Sequence, residues 1–495
     1  MNRARNLLIF SALAVAILIL LLRSKPTPSA AMPGKAPLVV YCAAGIKPPV
    51  EAVARAYEQA YGVSIQLQYG GSGTLLSNLR VAGRGDLFLA ADESYLLIAQ
   101  TNHLLEEVIP LSRMVPVIAV RKGNPKNIQN VADLLAVEVA LANPEAAAVG
   151  KITRDLLRKT GEWEALEKGV RVFKPTVNDV ANDIKLGTVD AGIIWDATAR
   201  QYPELELVAV PALVSGEQRV SIGVLKFSEQ PTAALRFARY LGARDKGLKE
   251  FARFGYQPVE GDVWAETPAV VLFSGGVNRV AIEETIQRFE NREGARVTRV
   301  YNGCGILVSQ MKSGQRPDAY FACDTSFMRE VTALFSDPVN ISRTAMVLLV
   351  PTANPKSIRT LADLAKPGLR LGLANEEQSA LGALTARLLR AQGLYDRVMA
   401  NVKVQTPTAD LLVNQMRTGS LDAVVVYEAN TSQVKEFFTV IPLTEPGAQA
   451  TQPYAVGKNS EHRLLMERLL AALRSAESQK RFQSVGFQWS EEEHE

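Results

Sequence analysis

The stretch Tyr69-Gly70-Gly71-Ser72-Gly73-Thr74-Leu75-Leu76 has the clearest capacity for chemistry in this chain. Ahead of it, Val63, Ile65, Leu67 and Tyr69 alternate with Ser64, Gln66 and Gln68, the pattern of a half-buried strand. Behind it, Leu75, Leu76 and Leu79 recur at helical spacing. A glycine-rich passage from strand to helix leaves backbone N–H groups unpaired at the positive end of a helix dipole, where an anion is favoured. Ser72 adds a hydroxyl donor, and the glycines allow a ligand close to the backbone. A single occurrence would favour a plain tight turn with Ser72 as helix cap. The motif, however, occurs twice.

At an offset of about 232 residues, Tyr69 to Gly73 returns as Tyr301-Asn302-Gly303-Cys304-Gly305, and Asp86 to Asp92 returns as Asp318 to Asp324. Asn124-Pro125-Lys126 returns as Asn354-Pro355-Lys356, and Ala142 to Glu145 as Ala374 to Glu377. Gly187 to Trp195 returns as Gly419 to Tyr427. Blocks repeated in the same order mark a duplicated domain. The expected division is 38–255 and 269–488, with a joint at 256–268 and an acidic tail at 489–495.

The bulk composition agrees with at least two soluble domains: 495 residues, 47% hydrophobic and 21% charged. A formal net charge of +4 without long basic runs does not suggest nucleic acid. Cys42, Cys304 and Cys323 form no CxxC, and His103, His462 and His494 are scattered, so neither a metal site nor a cofactor is expected. Asp86 and Asp92 flank an apolar strand and read as caps or braces rather than an acid/base pair. No Gly-x-Ser-x-Gly, Walker loop or HExxH occurs, and no nucleophile–base pair can be assembled, which disfavours an enzyme.

Arg3 and Arg5 precede the apolar run 7–22, which is closed by Arg23 and Lys25. Such a segment directs the chain to a membrane. It reads as an uncleaved anchor, a transmembrane helix within 1–25, in preference to a cleaved signal. The Pro-, Ala- and Ser-rich segment 26–37 is then a tether, and the rest of the chain is exported to the periplasmic or cell-surface side.

Each copy alternates short apolar strands with amphipathic helices, which predicts α/β lobes with parallel-type sheets and a ligand cleft outside the carboxyl ends of the strands. Copy one resembles the molybdate- and tungstate-type solute-binding proteins of ABC importers, which have the type II periplasmic-binding-protein fold. The matching motifs are Val39 to Gly45, Tyr69 to Gly73, Gly85 to Phe88, Ala91-Asp92-Glu93, Ala142 to Glu145 and Asp190 to Trp195. The likeness returns more faintly over 269–488.

In that family an oxyanion is held by neutral hydrogen-bond donors. The resemblance places the ligand positions of copy one at Ala44, Gly45, Gly71, Ser72, Ala148, Val180 and Trp195. Gly45 stands where a serine is usual, and Trp195 where a tyrosine is common. In copy two the positions are Gly276, Gly303, Cys304, Ala380, Leu412 and Tyr427. Cys304 there replaces a strong hydroxyl donor with a weak thiol; a small buried side chain is its default reading, with a redox thiol as the alternative. The function implied is capture of a small oxyanion, molybdate or tungstate first, for delivery to an ABC permease. Two alternatives stand beside it: binding of another small ligand, and a membrane-tethered sensor or scaffold without transport.

Overall fold

The computed structural model describes residues 36–490. The expected anchor within 1–25, most of the tether and the end of the acidic tail lie outside the described residues. Among the described residues, no helix is long and apolar enough to cross a membrane.

Copy one is built from two sheets. Lobe one contains β1 (Leu38–Ala43), β2 (Ile65–Gly70), β3 (Leu87–Ala90) and β4 (Leu105–Met114). Lobe two contains β5 (Pro116–Arg121), β6 (Val139–Ala142), β7 (Val170–Lys174), β8 (Ala191–Trp195) and β9 (Leu205–Val208). The chain then returns to lobe one through β10 (Gln218–Leu225) and β11 (Gln257–Pro258). The sheet orders are β11-β4-β10-β3-β1-β2 and β7-β6-β8-β5-β9. The strands joined by helices pair in parallel, β1 with β2 and β3, and β6 with β7 and β8. The strands that carry the chain between lobes pair antiparallel, β10 with β3 and β5 with β8. Each sheet is therefore mixed, not purely parallel, because a strand that crosses to the other lobe runs against its neighbours.

Copy two repeats the plan with β12 (Ala269–Gly275), β13 (Arg296–Asn302), β14 (Ala319–Phe321), β15 (Val339–Pro351), β16 (Leu371–Ala374), β17 (Val402–Thr406), β18 (Ala423–Tyr427), β19 (Phe438–Pro442), β20 (Gln449–Val456) and β21 (Gln488–Trp489). Ala43 pairs with Gly70 across β1 and β2, and Gly275 with Asn302 across β12 and β13, so the 232-residue offset holds in three dimensions. The copies differ at the crossing. In copy one, Val115 interrupts the path between β4 and β5, and its N–H donates to the Asp196 carboxylate (3.0 Å). In copy two the unbroken β15 runs through both lobes and joins their strands into one ten-stranded sheet.

The segment between the copies is packed. Tyr256 is buried, Gln257 and Pro258 pair with β4, and the Trp264 indole donates to the Tyr61 hydroxyl (2.8 Å). The Asp262 carboxylate accepts the N–H groups of Leu464 (2.9 Å) and Leu465 (3.0 Å), capping helix Arg463–Leu473 of copy two. Beside it, Arg292 of helix Arg279–Glu293 forks onto Glu107 of copy one (2.7 and 2.9 Å) and also reaches Glu106. Glu293 is 1% exposed and accepts two bonds from Arg468 (2.6 and 3.1 Å). Its second cation is Arg239 of copy one, 3.9 Å away. Burial pushes the Arg239 guanidinium down to about 10, against the pull of Glu293.

Two arginines thus share one buried carboxylate at the seam. Removing the anion deprives two largely buried cations of their shared partner, so Glu293→Ala is expected to destabilise the chain by about 3–5 kcal/mol. Denaturant unfolding of the full chain checks this; a loss below about 1 kcal/mol would show that the cluster is hydrated.

Candidate functional site

In copy one, six strand-to-helix passages meet between the lobes. Lobe one supplies the short turn Ala44–Ile46 after β1, Gly71 and Ser72 after β2, and Ala91 after β3. Lobe two supplies Ala147, Ala148 and Val149 after β6, Thr176 and Val177 after β7, and Trp195 at the end of β8. All lie at carboxyl ends of strands, as the α/β pattern predicts. Three helices start here, Ser72–Ala82, Ala148–Thr160 and Val177–Leu186, and turn their positive ends inward. No charged side chain is among the lining residues, and the enclosed space is only about 10 Å³, so the lobes stand nearly closed.

Ser72 is 1% exposed, and its Oγ accepts the Ala91 N–H (3.1 Å), which leaves the hydroxyl proton for the cleft. The two donors that follow are already engaged across the cleft, since Gly73 N–H (3.0 Å) and Thr74 N–H (3.4 Å) both donate to the Ala146 carbonyl of lobe two. Such close approach requires glycine. A Cβ on Gly71 would lie 2.2 Å from the Ala146 oxygen, and one on Gly73 would lie 2.5 Å from the Glu145 oxygen.

The departure at Gly45 has a physical reason. A Cβ there would stand 2.9 Å from Val177 Cγ1, 3.3 Å from Thr198 Oγ1 and 3.5 Å from Trp195 Cδ1. Val177 and Thr198 take the room a serine side chain would need, while the Trp195 ring stands at ordinary contact distance, so Gly45 is matched to Val177. The Tyr256 hydroxyl donates to the Gly45 carbonyl and accepts from Gln201 (3.3 Å), pinning the turn from behind. Burial holds the Tyr256 hydroxyl well above its ordinary pKa. Asp86 and Asp92 take structural roles. Asp86 accepts the Val39 N–H (2.8 Å) and the Ser228 hydroxyl (2.6 Å), and Asp92 caps helix Glu93–Thr101.

Copy two keeps the frame and changes the lining. Cys304 starts helix Cys304–Lys312, and its sulfur accepts the Cys323 N–H (3.0 Å) just as Ser72 accepts that of Ala91. Gly305 N–H donates to the Gln378 carbonyl across the cleft (3.0 Å), and a Cβ on Gly303 would meet that same oxygen at 2.2 Å. Ala380 begins helix Ala380–Ala391, and Tyr427 ends β18 with its hydroxyl buried and unpartnered. All three cysteines are free and buried. Among the described residues, no group of three or more His, Cys, Asp or Glu could hold a metal ion.

The sequence profile described as "Bacterial extracellular solute-binding protein" matches residues 38–257 and again 270–488. The chain belongs to that family. A Haemophilus influenzae relative, whose name specifies binding but no ligand, is 29% identical over 228 residues, covering 46% of this chain and 92% of its own. The Mycobacterium tuberculosis protein named molybdate-binding protein ModA is 26% identical over 224 residues, covering 44% and 84%. The solved Azotobacter vinelandii periplasmic molybdate-binding protein is 17% identical, with a TM-score of 0.38, covering 44% of this chain and 98% of its own.

As a tandem solute-binding protein, the chain brings Ala44, Gly45, Gly71, Ser72, Ala148 and Trp195 to one cleft, but not Val180. Val180 is fully buried, its N–H turns back to the Thr176 carbonyl (3.5 Å), and its side chain packs against Gly192 of β8. Thr176 and Asp179 form a capping box that starts the helix at Val177, so Val177 is the residue that faces the cleft. The Thr-x-x-Asp spacing at 176–179 was the available signal. Leu412 fails likewise, fully buried a turn inside helix Ala409–Arg417. The strand registers also correct Gly276, which stands at the position of Ala44; the counterpart of Gly45 is Val277. Tyr256 and Thr198, which abut Gly45 from behind, carry no local sequence signal.

Because Gly73 meets lobe two only when the cleft is shut, Gly73→Ala is expected to hold copy one open without unfolding either lobe. Small-angle scattering should show a larger radius of gyration at an unchanged unfolding midpoint. An unchanged radius would mean that the Glu145 carbonyl yields to the methyl group.

Proposed function

We propose that the chain is the exported solute-binding component of an ABC importer, with domains at 38–255 and 269–488, and that its first cleft captures a small, fully ionised oxyanion, molybdate or tungstate first. One observation carries this reading: three helix N-termini and the Ser72 hydroxyl converge on a cleft without a charged side chain. Neutral donors suit an anion that carries no proton, because a protonated oxygen would set donor against donor. The ligand named for the mycobacterial relative supports the same chemistry. The shut arrangement supports a small solute, and lobe closure would present a permease with a distinct liganded shape. The site residues proposed for copy one are Ala44, Gly45, Gly71, Ser72, Ala148, Val177 and Trp195. The anchor at 7–22 would hold the protein beside its permease.

The residues at 45 and 195 favour a second reading within the same class, an oxyanion of different size, since the first lacks a serine side chain and the second presents an indole in place of a phenol. Calorimetric titration of the full chain with molybdate, tungstate, sulfate and phosphate separates the two. Submicromolar binding of molybdate or tungstate is expected, and Ser72→Ala should weaken it by about 10- to 150-fold, the effect of one hydrogen bond to a charged group. Binding of sulfate or phosphate alone would transfer the site to the second reading, and silence toward all four would overturn both.

A further inference from the structure

The second cleft is not simply a faded copy of the first. At five neighbouring positions the two copies differ, and the residues of copy two fit one another. Ser72 becomes Cys304, Ala91 becomes Cys323, Ala43 becomes Gly275, Phe88 becomes Tyr320 and Trp195 becomes Tyr427. The glycine is required by the sulfurs: a Cβ at position 275 would lie 2.1 Å from Cys323 Sγ and 3.1 Å from Cys304 Sγ. An alanine, as in copy one, therefore could not coexist with Cys323. The two tyrosines bring hydroxyls into the same space. Tyr427 is 2% exposed and its hydroxyl has no partner, and the fully buried Tyr320 hydroxyl turns toward the Cys304 sulfur without a formed hydrogen bond.

A hydroxyl left unpaired in the interior forfeits its hydration, so two of them beside two thiols are groups that a bound solute would satisfy. The thiols are also differentiated. Burial works against ionisation of both, but the Cys323 S–H holds Cys304 below its ordinary pKa, while the bond to Cys304, together with burial, pushes Cys323 well above its own. Sulfur donors select soft partners over hard oxyanions. Trivalent arsenic in its neutral hydroxide form joins both requirements, bonding two thiols and keeping an oxygen for hydrogen bonds.

We propose that Cys304 and Cys323 form a dithiol site in the second cleft for a small thiophilic metalloid hydroxide, with Tyr427 and Tyr320 bonded to its remaining oxygen. This rests on the solute-binding reading of the fold, but not on the ligand of copy one. Binding is a substitution without electron transfer. Arsenous acid loses two As–O bonds, each cysteine loses its S–H proton, two As–S bonds form, and two water molecules leave. The solute enters while the Gly305–Gln378 contact is open, and closure buries the product.

The test is native mass spectrometry of the reduced full chain titrated with sodium arsenite. The expected result is one arsenic per chain, carried with the loss of two waters. Cys304→Ser, which restores the residue of copy one, and Cys323→Ser should each weaken binding by at least about 100-fold, because only one tether remains. Tyr427→Phe, which keeps both thiols, should weaken it several-fold, and Cys42→Ala should leave it unchanged. No adduct on the reduced wild-type chain, or an undiminished adduct on either serine variant, overturns the proposal. An unchanged affinity in Tyr427→Phe removes that hydroxyl from the site. Molybdate titrated into the reduced wild-type chain and into Ser72→Ala reports on copy one, so failure there and failure here are read separately.

Discussion

The structure depends on a contact between two stretches of bare backbone. In each copy the glycine turn of lobe one meets a carbonyl of lobe two, Gly73 against Ala146 and Gly305 against Gln378, at 3.0 Å in both. Any side chain at the contact would hold the lobes apart, so glycine recurs at 71, 73, 303 and 305 while the intervening residue changes from Ser72 to Cys304. The turn therefore has two separable duties. Its glycines set how far the lobes can approach, and the residue between them sets what the closed space will accept. A duplicated domain can alter the second duty without touching the first.

That separation explains what could be read from residues alone. The repeat, the strand-to-helix passages and the placement of the cleft at strand ends follow from hydrophobic period and glycine position, and the registers agree with them. Ser72 and Cys304 were identifiable because they sit inside the turn itself. Val180 and Leu412 were misplaced because a helix start depends on which residue caps it, and Thr176 begins its helix three residues earlier than the carried-over position implied. Gly276 stands opposite Ala44 and not Gly45, as the 232-residue offset and the strand pairing both give. Tyr256 braces Gly45 from 211 residues away, a contact made by tertiary packing that no local pattern encodes.

The joint at 256–268 holds to both copies, since Asp262 caps a helix of copy two while Trp264 bonds to Tyr61 of copy one. The segment is stitched to both neighbours. Its neighbours add the Arg292 fork and the shared carboxylate of Glu293, so a charge cluster and a short strand together make the seam.

The cross-copy bonds described at this seam start from lobe-one elements and the joint: β4, helix Pro231–Leu241, Asp262, helix Arg279–Glu293 and helix Arg463–Leu473. With the described bonds confined to the first lobes and the joint, a movement of either second lobe would leave this seam intact, so a change of shape in one copy would not have to pass through the other.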